Sequence, residues 1–133
     1  MSYAHLIFGS LVFITFLVTG KFMRWDFPEK SAIPPEFRIL MRSRHIYILL
    51  SALIHIVLGV YLQIHKETLQ KYLQYSASVL LFAGTILLIY AFFYETYTAH
   101  GFSEFSRNGL YLSLAGTIFH LFGGFRLKSK NGE

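Results

Sequence analysis

An all-α integral membrane protein is expected, with four transmembrane helices in a compact antiparallel bundle and a basic, partly helical first connection. Three observations carry this. Every Asp, Glu, Lys and Arg falls outside four stretches, residues 1–20, 45–65, 72–94 and 108–125. These stretches are 20, 21, 23 and 18 residues long; roughly 20 helical residues, at about 1.5 Å each, cross a hydrocarbon layer of about 30 Å. The composition is 54% hydrophobic and 18% aromatic with a positive mean hydropathy, outside the range of ordinary soluble domains. All three prolines (Pro28, Pro34, Pro35) lie in the first connection, so none interrupts a charge-free stretch. A single domain of 133 residues is expected, with spans at about 3–22, 45–64, 74–95 and 108–126. The stretches are continuously apolar, whereas membrane strands alternate.

The first span opens as MSYAHLIF, without Lys or Arg, and no small-x-small cleavage site follows it. It runs into Thr19-Gly20-Lys21 and Arg24-Trp25, a basic and aromatic interface, and so reads as a retained span. The first connection is the only one with room for structure. Pro35 suits a first helical turn, where a missing N–H costs nothing, and Glu36 suits the positive end of the helix dipole. No breaker follows before Gly59, which predicts one helix from about Pro35 to about Gln63. Arg38 and Arg42 share a face of its basic first segment. With Arg44 and Arg126 they are expected to meet phospholipid headgroups, or the propionates of a bound haem.

The third and fourth spans carry two matching pentads, Phe82-Ala-Gly-Thr-Ile86 and Leu114-Ala-Gly-Thr-Ile118, read as convergent packing by small residues. The first and third connections share one side of the membrane. That side holds Lys21, Arg24, Lys30, Arg38, Arg42, Arg44 and Arg107, against Lys66, Lys71, Arg126, Lys128 and Lys130 on the other. The excess predicts a cytoplasmic first connection, in the inner or plasma membrane of a bacterium. Membrane edges account for the net charge of +5, so no nucleic-acid partner is implied. The partner expected is the lipid bilayer, with a second copy or a larger membrane complex. Without cysteine there is no disulfide, thiolate nucleophile or thiolate metal site.

Candidate chemistry rests on histidine. His5, His45, His65 and His100 lie near span ends, where a half-wet imidazole costs little. His55 sits at the midpoint of the second charge-free stretch and His120 close to the middle of the fourth. An imidazole in hydrocarbon needs partners for its N–H and its lone pair, which makes both residues site candidates. Each stands in a stripe of small residues, Ser51 and Gly59 around His55, and Gly116, Thr117 and Gly124 around His120.

Three readings fit this pattern. In the first, small residues bring helices 2 and 4 together and each histidine bonds a Ser or Thr hydroxyl, in a non-catalytic subunit or assembly factor of a larger complex. In the second, His55 and His120 are the axial ligands of a b-type haem, with the small residues lining its slot. In the third, His55, His120 and Glu95 form a proton or quinone path. His45, Glu95, His100 and Glu104 carry weaker metal-ligand character. No catalytic triad order, phosphate-binding glycine loop or His-Glu-x-x-His is present, and the connections leave no room for a soluble catalytic domain.

Overall fold

The computed structural model describes residues 1–25, 34–64, 67–98 and 103–124. They form four helices: α1 (Ser2–Trp25), α2 (Pro35–Tyr61), α3 (Thr68–Thr98) and α4 (Glu104–Gly124). There is no strand among the described residues. The helix α2 begins at Pro35, after Pro34 in an extended conformation (φ −52°, ψ 137°). Proline's fixed φ suits that first helical position, and Glu36 follows in the same turn. Three helices are long and apolar enough to cross a membrane: α1, α2, and α3 over Thr68–Glu95. The helix α4 is not among them. It spans 21 residues, with Glu104 and Arg107 in its first turn and glycine at 109, 116, 123 and 124.

Successive helices run antiparallel. Glycines set the approach of α1 to α2. A Cβ added at Gly9 would lie 2.8 Å from Ile56 N, and one at Gly59 would lie 2.6 Å from the Leu6 backbone. The α3–α4 contact uses a seven-residue spacing of small residues on both sides. Gly109, Gly116 and Gly123 on α4 face the α3 row that contains Ala77 and Gly84. A 3.5-residue repeat keeps such a seam facing its partner. Along α3 the buried positions Gln70, Gln74, Ala77, Leu81, Gly84, Leu88, Ala91 and Glu95 follow the same repeat, and Ser78, Thr85 and Phe92 form a buried row beside them at seven-residue spacing. The glycine of each matching pentad lies in this contact, Gly84 against Ser113 and Gly116 against Leu81.

The small-residue faces therefore join α1 to α2 and α3 to α4, not α2 to α4 as their spacing suggested. Backbones approach closely in chain order, α1–α2, α2–α3 and α3–α4, with only a slight α2–α4 contact. The helix α1 meets α3 and α4 through side chains. Polarity is inverted relative to a soluble bundle. His5, Thr19, Arg44, Ser51, His55, Gln74, Ser78, Thr85 and Glu95 are buried, while Ile7, Leu11, Ile14, Leu50, Val57, Val79 and Ile86 are exposed.

Candidate functional site: a buried histidine network

Three histidines from three helices converge on the inner face of α3. His5 Nδ1 lies 2.7 Å from His55 Nδ1, and His5 Nε2 lies 2.9 Å from Ser78 Oγ. On the far side of Ser78, the hydroxyl lies 3.2 Å from His120 Nε2. His55 Nε2 lies 3.1 Å from Thr85 Oγ1. Both hydroxyls also reach the carbonyl one turn back, Ser78 to Gln74 O at 2.9 Å and Thr85 to Leu81 O at 2.8 Å. The outcome is one unbroken chain, His120–Ser78–His5–His55–Thr85, through all four helices.

Aromatic packing fixes the rings. Phe82 lies 4.8 Å from both His5 and His55, centroid to centroid, and Phe8 lies 4.9 Å from His55. Gly9 makes the site physically available, since a Cβ there would lie 2.9 Å from His55 Cβ. His5 and His55 are fully buried. The site of His5 corrects the sequence-based expectation of a half-wet imidazole at a span end. A signal for it was present: His5-Leu-Ile-Phe-Gly9, His55-Ile-Val-Leu-Gly59 and His120-Leu-Phe-Gly-Gly124 all place glycine four residues after histidine. On antiparallel α1 and α2 that spacing puts Gly9 opposite His55, and Gly59 opposite the residue after His5.

The arrangement does not fit a haem ligated by His55 and His120. Both ring nitrogens of His55 are engaged, by His5 and Thr85, and the His5 and Phe82 rings lie directly against it. The hydroxyl partners of the two histidines stand seven residues apart on α3, about 10 Å along the helix. Of the residues expected to line a cofactor slot, Gly59 packs on Leu6 and Gly116 on Leu81, while Thr117 donates to Ser113 O at 2.8 Å. Ser51 is buried on α2, and Gly124 has no neighbour within 4 Å of its would-be Cβ. Arg44 is turned inward rather than toward headgroups or propionates. Arg38 is half-buried, Arg42 is exposed, and Arg126 lies outside the described residues.

A second polar set lies toward the other end of the bundle. Glu95 receives Phe105 N–H on Oε1 at 2.8 Å, and Ser106 N–H and Oγ–H on Oε2 at 3.3 and 2.8 Å. The carboxylate thus caps the start of α4, where orphan N–H groups and the helix dipole favour an anion. Arg44 Nε lies 3.8 Å from Glu95 Oε2. Nearby, Thr19 spends its hydrogen on Phe16 O, so His45 Nδ1–H donates to Thr19 Oγ1 at 3.1 Å. The His45 ring stacks on Phe16 at 4.2 Å.

An apolar layer separates the two sets: Val12, Ile48, Ala52 and Phe92, with Phe13, Phe16 and Ile89 against them. Among the described residues no side-chain hydrogen bond joins Glu95 to His55 or His120. Among the described residues no group of three His, Cys, Asp or Glu side chains is arranged to hold a metal ion, the three converging histidines included. Glu104 is exposed, and His100 lies outside the described residues. Comparison with known proteins adds nothing to this geometry: no family model, curated protein or solved structure matches the chain.

Proposed function

We propose that the chain is a four-span integral membrane protein, α4 being the fourth span, that serves as a non-catalytic component of a larger membrane assembly or homo-oligomer. The observation that carries this is the inverted polarity. An exposed belt of Ile, Leu, Val and Phe on every helix has no place in water. The helix α4 shares it, with Leu114, Ile118, Leu121 and Phe122 exposed.

The buried polar groups bind helix to helix. In hydrocarbon, polar side chains hold helices together because each lacks water as an alternative partner. The histidine network ties the α1–α2 hairpin to the α3–α4 hairpin at one end, and Glu95 ties α3 to α4 and α2 at the other. Both sets thereby fix one arrangement, as befits a subunit or assembly factor. Arg38 and Arg42, with Lys21 over the Trp25 ring at 4.2 Å, suit the cytoplasmic headgroup layer of a bacterial inner membrane.

The test is extraction and native sizing. The chain should stay with membranes through an alkaline carbonate wash and, in mild detergent, migrate with further copies or other proteins. Release by the wash would refute the membrane placement, and a bare monomer would refute the assembly role.

A further inference from the structure

The buried network invites a count of hydrogens. Its five groups make six contacts: Ser78 with Gln74 O, His5 and His120, His5 with His55, and Thr85 with His55 and Leu81 O. Each contact needs one hydrogen. Two hydroxyls and three neutral imidazoles supply five, because a neutral imidazole carries a single N–H.

Position identifies the deficit. Gln74 O and Leu81 O only accept, so filling both contacts uses both hydroxyl hydrogens. Ser78 Oγ must then accept from Nε2–H of His5 and of His120, and Thr85 Oγ1 from Nε2–H of His55. What remains is two bare Nδ1 lone pairs facing each other across 2.7 Å. One added hydrogen between them completes all six contacts.

We infer that the network is a binding site for one proton, held between His5 Nδ1 and His55 Nδ1 and shared by the two rings. The separation lies at the short end of the hydrogen-bond range, as charge-assisted bonds do. The proton-free form needs no repacking. The Thr85 hydroxyl turns from Leu81 O to His55 Nε2, or the Ser78 hydroxyl turns from Gln74 O to His5 Nε2. The freed carbonyl is a helix acceptor that keeps its backbone bond. These two alternatives run the chain of donors in opposite directions.

The groups facing the pair are few. Among the described residues they are the N-terminal ammonium and the Phe8 ring on the α1 side, His120 from α4, and the hydroxyls and the Phe82 ring from α3. Glu95 and Arg44 stand beyond the apolar layer. The bound charge is thus stabilised by sharing and by hydrogen bonds to neutral groups, with no carboxylate beside it among the described residues. This rests on the four-span reading, in which the network lies inside the membrane.

The experiment is nitrogen NMR of histidine-labelled full-length protein in lipid nanodiscs, titrated from neutral pH to about pH 4, with Thr85→Val and Thr85→Ser. His5 and His55 are expected to respond together, at one midpoint, with a single proton for the pair. Thr85→Val removes the acceptor of His55 Nε2–H and should weaken proton binding about tenfold, one pH unit. Thr85→Ser should restore it. Two independent midpoints, no uptake, unfolding before uptake, or a Thr85→Val midpoint equal to wild type would each overturn the inference. If cysteine labelling shows four spans while the titration gives such a result, only the proton site falls. If labelling denies the spans, the membrane reading falls first.

Discussion

His5 Nδ1 and His55 Nδ1 lie 2.7 Å apart, fifty residues apart in sequence, and this contact joins the first helix to the second at full burial. Each ring also reaches α3, His5 through Ser78 and His55 through Thr85. The two residues therefore act as a unit. Polar contacts between membrane helices contribute about 0.6 kcal/mol on average and at most about 1.7. A double-mutant cycle of His5→Ala and His55→Ala, measured by unfolding in detergent, should give a coupling of about 1 kcal/mol. Coupling within error of zero would mean the rings do not meet.

Glycine substitutions should divide sharply by position. Gly59→Ala places a methyl against the Leu6 backbone, which cannot move without shifting α1, and should cost about 1–3 kcal/mol. Gly124→Ala meets nothing within 4 Å and should leave stability unchanged. Thermal unfolding of the two variants side by side checks the α1–α2 crossing directly.

Glu95 and Arg44 are unequal partners. Glu95 accepts three hydrogen bonds at the start of α4, whereas Arg44 Nε approaches it at 3.8 Å. Removing the carboxylate uncaps a helix and strands a buried guanidinium, a loss of about 3 kcal/mol for Glu95→Ala. Arg44→Met keeps the cap and fills the space with apolar volume, so it should cost about 1 kcal/mol or less. Equal losses in denaturant unfolding would contradict the cap as Glu95's main role.

The helices were legible in the sequence because charge-free length, and proline and acid at Pro35-Glu36, act locally. Which small-residue faces meet is a matter of tertiary pairing, and the stripes around His55 and His120 looked alike whether they faced each other or their chain neighbours. His5 was hidden by its nearness to the chain start. Distance from a terminus says little about burial when glycines at 9 and 59 let two backbones close over the site. Glu95 read as a titratable site because its three donors come from residues ten and eleven positions later, beyond any local pattern.

Whether α4 crosses the membrane is tested most directly by single cysteines in this cysteine-free chain, labelled from one side of sealed vesicles. Four spans predict that Ser2→Cys, Glu67→Cys and Gly124→Cys react from one side, and Glu36→Cys and Glu104→Cys from the other. Gly124→Cys reacting on the same side as Glu104→Cys would show that α4 does not cross, and would contradict the four-span bundle.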